Sequence, residues 1–324
     1  MSTAEPRLNG VILLDKDSGM ASNQALGKIK HLLRPWLPAG GRRAGGVKFG
    51  FLGTLDPLAT GVLPVFVGKA TRLIHLFQGL DKAYLVTVRL GERTDTYDSE
   101  GQVVETRPID GLQAGQVQAV VEGFSGETAQ TVPAYSAVKV GGVPAYRMAR
   151  AGEAVPERVR QVRLWDLAVQ SLELPEVVFR VHCTAGTYMR ALADDIGQAL
   201  GVGGHVTALR RLSAGPLFPL ENSFTIERIS CAVEQGNLDF ILNPAQFLPG
   251  HRPFQVEAGQ AALIRDGRTI QLHDTASRPP GTQPALRIGE PAKALGPDGG
   301  LMAVGEIVDM QGNAAVFQPT RVLI

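Results

Sequence analysis

The sequence predicts an α+β chain, and three observations predict it. Short apolar or alternating runs suited to strands recur from residue 10 to residue 183. Amphipathic stretches with helical spacing interrupt them at 22–33 and 187–200. The last piece, from residue 250 onward, alternates short apolar runs with turns, which suits a small β-domain.

In chain order, Gly10 to Asp15 is a short apolar run suited to a buried strand. Ser22 or Asn23 then caps a helix whose Leu26, Ile29 and Leu33 share a face, and the helix ends before Pro35. Pro35 to Gly50 is rich in Gly, Pro and Arg and reads as a loop. Val62 to Val67 reads as a strand and Ala70 to Gln78 as a short helix with Leu73, Leu76 and Phe77 inward. Tyr84, Val86, Val88 and Leu90 alternate with Leu85, Thr87 and Arg89 on the two faces of a strand. Gly91 to Gly101 is a polar, turn-rich connection. Pro133 to Pro156 reads as a second loop, leading into a basic cluster of Arg147, Arg150, Arg158, Arg160 and Arg163. Val177 to Cys183 is strand-like, and Thr187 is placed to cap a helix with Met189, Leu192, Ala193, Ile196 and Leu200 on one stripe, closed by Gly201. Asn243 to Gly250 reads as a linker, followed by apolar runs at 261–264, 301–308, 314–317 and 321–324.

Composition bounds the function. The chain has 324 residues, 44% hydrophobic and 19% charged, enough for about two domains and a sizeable core. Cys183 and Cys231 lie far apart with no metal-ligand spacing, which argues against a disulfide scaffold or a zinc site and for a reducing cytoplasm. The amino terminus has no apolar leader and no run approaches membrane-spanning length, so a soluble cytoplasmic protein is expected. Gly41 to Gly46 fails the phosphate-loop pattern, and Gly201 to Val206 is a broken dinucleotide fingerprint behind a helix. The six histidines form no tight pair, and no nucleophile elbow is present.

What remains is Gly53-Thr-Leu-Asp-Pro-Leu-Ala-Thr-Gly61. Its Asp56 is flanked by apolar residues, and Pro57 pushes it out of the helical region. Flanking glycines permit close approach of another chain or ligand. Apolar surroundings raise a carboxylate's pKa unless a cation offsets them, so an ionised Asp56 needs a partner. The alternative is an Asx-turn carboxylate before a proline. Arg190 is the candidate partner: it lies in the first turn of its helix, where the macrodipole disfavours a cation, and off the apolar stripe. The alternative for Arg190 is a solvated surface side chain.

The motif at 53–61 resembles the catalytic motif of the TruB family of tRNA pseudouridine synthases. Further blocks that resemble the family follow in order: Asn9 to Lys16, Gly68 to Arg72, Asp81 to Tyr84, Leu90 to Thr96, Gln130 to Lys139, Gly186 to Arg190 and His205 to Leu212. The resemblance spans about residues 9–245 and implies isomerisation of uridine 55 in the TΨC loop of tRNA, with no metal, cofactor or small-molecule donor. It implies a mixed-sheet catalytic domain over 9–248, after a tail at 1–8, and a PUA-like RNA-binding domain over 249–324, in a protein expected to be monomeric. Asp56 is implied to be the catalytic carboxylate, with three roles open: addition to C1′, addition to C6, or removal of a ribose proton. Tyr84 would stack on the target base and assist proton loss at C5; read from pattern alone it is a core aromatic. Arg190 would pair with Asp56, Tyr188 and Leu209 would contact the flipped nucleotide, and Arg72 would join the substrate-binding set. Where the family usually has a histidine, this chain has Phe51, expected to stack or wedge instead. The basic stretches near 35–50 and 133–160 are expected to line the RNA.

Two rivals stand beside this reading. A module that only folds RNA would have no use for the Asp56, Tyr84 and Arg190 set. A glycosidase usually needs a second carboxylate, and the sequence offers none with comparable context near Asp56. The formal net charge of +1 does not oppose an RNA partner, because eight Lys and Arg face three acids in residues 1–50 while acids concentrate at 92–110 and 221–239.

Overall fold

A computed structural model of the chain describes residues 8–37, 46–136, 138–273, 286–311 and 314–324. Among these, strands β1 (Gly10–Lys16), β2 (Phe49–Phe51), β3 (Thr60–Val67), β4 (Lys82–Leu90), β5 (Glu92–Thr94), β6 (Val103–Thr106) and β7 (Gly126–Thr131) fill the first half. The hairpin β8 (Lys139–Val140) and β9 (Val143–Pro144) precedes β10 (Val159–Glu173), β11 (Glu176–Cys183), β12 (Gly204–Ala214) and β13 (Phe218–Pro219). The carboxyl-terminal strands are β14 (Arg252–Gln255), β15 (Ile270–His273), β16 (Pro291–Leu295), β17 (Leu301–Gln311) and β18 (Ala314–Val322). The α-helices are α1 (Ser22–Leu32), α2 (Ala114–Gly123), α3 (Ala145–Arg150), α4 (Met189–Ala199), α5 (Ile226–Glu234) and α6 (Ala258–Arg265).

Nine strands form one mixed sheet in the order β1-β3-β12-β4-β11-β10-β7, with β2 on β3 and β13 on β12. The β3–β12 pairing is parallel and the others antiparallel. Period-2 alternation gives this sheet two apolar faces. Ile12, Leu14, Leu63, Val65, Val86 and Phe179 pack on one face with Ile29, Val117, Leu192 and Ile229 of the helices. Val11, Leu13, Val62 and Phe66 on the other face pack with Leu73 and Phe77 and with Leu301, Val304 and Leu323 of the carboxyl-terminal strands. Those strands form a second sheet, β14-β16-β17-β18-β15, with its own core around Phe254, Ile264 and Phe317.

Two long-range bridges close the large sheet. Val11 and Leu242 exchange backbone hydrogen bonds of 3.0 and 2.8 Å, and Leu14 bridges Phe224.

Several expectations are corrected. Helix α1 is capped at Ala21, not Ser22 or Asn23, because the Ser22 hydroxyl is used elsewhere. Residues 68–77 form a 3-10 helix in which Ala70, Leu73 and Phe77 are buried and Leu76, expected inward, is 42% exposed. Tyr188, not Thr187, holds the N-cap position of α4, while the Thr187 hydroxyl bonds the Thr184 carbonyl. The apolar run 261–264 lies in α6, so the carboxyl-terminal piece is not all β. The loop expected at 133–156 contains the β8–β9 hairpin and α3. The stretch at 243–250 is not a free linker: Phe247 and Leu248 are buried in the core between the two sheets.

Candidate active site

The Asp56 carboxylate reaches the Arg190 guanidinium, as the helix position of Arg190 suggests. Arg190 Nε donates to Asp56 Oδ2 at 2.9 Å. Its Nη1 donates to the Thr96 carbonyl at 2.9 Å and its Nη2 to the Tyr135 carbonyl at 2.8 Å. Arg190 is only 4% exposed, so this side chain is one end of a network and not a solvated cation. Asp56 keeps 36% of its side chain accessible, which leaves the carboxylate fixed by one partner and open to another molecule.

The backbone around Asp56 is held from both sides. Ser22 Oγ donates to the Leu55 carbonyl and accepts from the Leu55 N–H, at 2.9 and 2.8 Å. Gly19 N–H and the Lys16 ammonium both donate to the Pro57 carbonyl, and Ser18 donates to that of Leu58. Lys16 is fully buried, and burial pulls its pKa down to about 8 against the opposing pull of Asp17 and Asp56. The two motif glycines have distinct reasons. Gly61 lies at φ +101°, and a Cβ there would sit 2.3 Å from the Arg211 carbonyl of β12; at Gly53, with φ +67°, a Cβ would sit 3.1 Å from the Arg211 guanidinium. The expected close approach is therefore by β12.

Arg211 is the largest fully buried side chain of the protein's described residues, at 1% exposed. It donates from Nε to the Val62 carbonyl at 2.8 Å and from Nη2 to that of Gly53 at 3.0 Å. Tyr84 lies directly opposite it across β12 and β4, close enough for the guanidinium to act on the phenol. Burial raises the Tyr84 phenol pKa, and Arg211 opposes that rise.

Two acids near Asp56 escaped sequence reasoning and correct the expectation of none. Asp98 is 3% exposed, and its Oδ2 lies 3.5 Å from Arg190 Nε. It is held by Thr96 Oγ1 at 2.6 Å and by the Glu100 N–H at 3.1 Å, while β12 fixes its neighbours through Tyr97 and Ser99 bonds to Val206. Glu100 has its pKa raised by burial and by the charges of Asp98 and Asp56. Asp98 serves the arginine, not a reacting group: both of its oxygens face partners. Nothing in a polar run such as Thr94 to Glu100 marks one of its acids as buried.

The remaining expected residues divide. Leu209 and Tyr84 are buried on the helix-covered face, and half-buried Phe51 packs against the same core. The Tyr188 backbone is clamped by both amide atoms of Gln130, at 2.8 and 3.0 Å. Arg72 is not in this cluster. It projects from the 3-10 helix on the opposite face, donates to the Val322 carbonyl and walls a cavity of about 1320 Å³ lined also by Trp36, Lys48 and Met302. That cavity includes none of Asp56, Tyr84 or Arg190. Arg147, Arg150, Arg158, Arg160 and Arg163 are all exposed, whereas Arg42 and Arg43 lie outside the described residues. No group of three or more possible metal ligands occurs among the described residues, and no helix there is long and apolar enough to cross a membrane.

This geometry meets three comparisons with known proteins. Residues 42–189 match the TruB family pseudouridylate synthase N-terminal domain, and residues 190–247 match the tRNA pseudouridylate synthase B C-terminal domain. The tRNA pseudouridine synthase B of Burkholderia mallei (strain ATCC 23344) is 41% identical over 287 residues, covering 86% of this chain and 88% of the relative. That of Vibrio vulnificus (strain YJ016) is 38% identical over 296 residues, covering 89% and 90%. Among solved structures, a chain of an H/ACA RNP bound to a substrate RNA containing 2'-deoxyuridine has a TM-score of 0.63 at 22% identity, over 97% of this chain and 85% of that one. A chain of a Cbf5-Nop10-Gar1 complex also gives 0.63, at 23% identity over 99% and 86%. With both family models matched in tandem and relatives aligned over most of their length, the chain belongs to the TruB family of pseudouridylate synthases.

Proposed function

We propose that this chain isomerises uridine 55 in the TΨC loop of tRNA to pseudouridine. The reaction breaks the N1–C1′ bond, forms C5–C1′, removes hydrogen from C5 and places one on N1, so it balances without a donor or an oxidant. Kinship with enzymes named tRNA pseudouridine synthase B supports the reaction class. The observation that carries the reading is the 2.9 Å bond between Arg190 and an accessible Asp56. The guanidinium fixes the carboxylate in place for addition to C1′ or C6 or for proton removal.

The base reaches that carboxylate only after leaving its stack, at a cost of a few kcal/mol. In this reading Tyr84 stacks on the base and assists proton loss at C5, Leu209 and Tyr188 close around the nucleotide, and Phe51 fills the space the base vacates. The exposed arginines of α3 and β10 meet phosphates, and residues 249–324 act as an RNA-binding domain of the PUA kind. The protein works as a cytoplasmic monomer without a cofactor.

The test is tritium release from C5-labelled uridine in unmodified tRNA. Release by the wild type and its loss in Asp56→Asn, with binding retained, is the expected result. No release by the wild type overturns the proposal, and retained release by Asp56→Asn removes Asp56 from it.

A further inference from the structure

Arg211 is a buried cation with an odd environment. Among the described residues it makes no ion pair with a carboxylate; its partners are the carbonyls of Val62, Gly53 and Leu52 and the Tyr84 phenol oxygen. A second cation, Lys82, lies close enough for Arg211 to lower its pKa in addition to the effect of burial, and the Lys82 ammonium is itself turned to the Leu80 carbonyl. Burying a guanidinium beside an ammonium with only dipoles for company is costly. Holding the carbonyls alone does not require a charge, because a neutral donor could serve them.

We propose that Arg211 is a positioning residue that acts through Tyr84: it orients the phenol and holds positive charge beside its oxygen, stabilising the phenolate that forms when the phenol's own proton leaves and that then takes the C5 proton to regenerate the phenol. The inference rests on the functional reading above and assigns a task to a residue outside the Asp56, Tyr84 and Arg190 set. The geometry supports it in three ways. Arg211 pairs with Tyr84 across β12 and β4, so the two side chains rise from one register position. The same guanidinium grips the Gly53 carbonyl, at the start of the motif that carries Asp56, so one rigid fork spans the proton acceptor and the carboxylate's loop. Burial of Arg211 at 1% exposure and of Tyr84 beside it shuts water away from the pair, which strengthens the influence of the charge. With Arg211 in place, the negative charge left on the Tyr84 oxygen when its own proton passes to solvent or to N1 is balanced until the C5 proton neutralises it.

The experiment is a double-mutant cycle on the full chain, with tritium release from C5-labelled tRNA measured under single-turnover and steady-state conditions. Arg211→Lys is expected to lower kcat about 10-fold or more with KM little changed, the pattern of an interaction used in the transition state. In the Tyr84→Phe background the same substitution should cost almost nothing more, because the oxygen it serves is gone. Equal fold-losses in both backgrounds would overturn the role while leaving the functional reading intact. No release by the wild type would bring down both. If Arg211→Lys does not fold or Tyr84→Phe has no measurable rate, the ring Cζ resonance of Tyr84 decides, assigned among the five tyrosines by its absence in Tyr84→Phe. A Cζ shift displaced from that of free tyrosine toward tyrosinate supports the influence of the Arg211 charge on the phenol, and a shift equal to free tyrosine overturns it.

Discussion

Arg190 serves two carboxylates with one nitrogen: its Nε lies 2.9 Å from Asp56 Oδ2 and 3.5 Å from Asp98 Oδ2. Asp56 is accessible and Asp98 is not, so the buried acid makes the arginine affordable in the fold while the open one receives the benefit.

It follows that Arg190→Met should do more than lower activity. It would leave Asp98 buried without its cation and cost roughly 3–5 kcal/mol of stability. Chemical denaturation should show the larger loss for Arg190→Met and a smaller one for the double variant Arg190→Met with Asp98→Asn. A double variant no more stable than the single one would separate Asp98 from the arginine.

The φ of +101° at Gly61 and the 2.3 Å gap to the Arg211 carbonyl leave no room for a methyl group. Gly61→Ala should therefore destabilise by more than about 2 kcal/mol, combining backbone strain with overpacking. Gly236 has φ +73° but open space around it, so Gly236→Ala should cost only about 1 kcal/mol. Similar thermal shifts for the two would contradict the steric explanation.

Asp195, on α4, has its pKa raised to about 6 by burial and then by the charge of Asp194. The folded state thus holds a proton that the unfolded state releases near the ordinary value of 3.8, and the penalty for ionising it grows as pH rises between the two. Asp195→Asn should raise the melting temperature at pH 7 to 8, with the gain shrinking to nothing by about pH 4. Calorimetry across that range checks the sign; a gain independent of pH would point to packing instead.

Lys16 gives the opposite window. Its folded pKa of about 8 lies below the ordinary 10.5, so the charged form burdens the fold below pH 8 and the burden lifts as pH rises toward 10.5. Relative to Lys16→Met, the wild type should gain stability over that interval. A constant difference from pH 7 to 10.5 would show that Lys16 stays charged.

Phe51→Ala should slow turnover on tRNA, in keeping with a side chain that takes a base's place in the stack. Tritium release unchanged by this substitution would end the wedge interpretation.

The expected Asp56 to Arg190 contact was legible because a cation in the first turn of a helix conflicts with local electrostatics, and such a conflict points to a partner elsewhere. The stripe of α4 and the alternation of β4 were legible because each buries one regular face. β10 was not, because bulges at Trp165–Ala168 and Val169–Ser171 break its period and its first residues carry exposed arginines. Helix α2 hid for another reason, since only Val117 and Val121 of its residues are buried. Asp98, Lys16 and Arg211 were invisible because each buried charge meets a partner brought from a distant segment, Arg190 for Asp98, the Pro57 carbonyl for Lys16 and the Val62 carbonyl for Arg211, and no local pattern encodes that.

The bridge from Val11 to Leu242 has a consequence for biosynthesis. Strand β1 meets its partner at Leu242 only after more than two hundred further residues have been made. Until then β1 carries Ile12 and Leu14 for one core and Val11 and Leu13 for another, with neither core complete. Such closure between distant segments slows folding and leaves apolar strand exposed to aggregation in the meantime. The nascent chain should therefore engage a chaperone through β1, and release should follow synthesis of the carboxyl-terminal sheet.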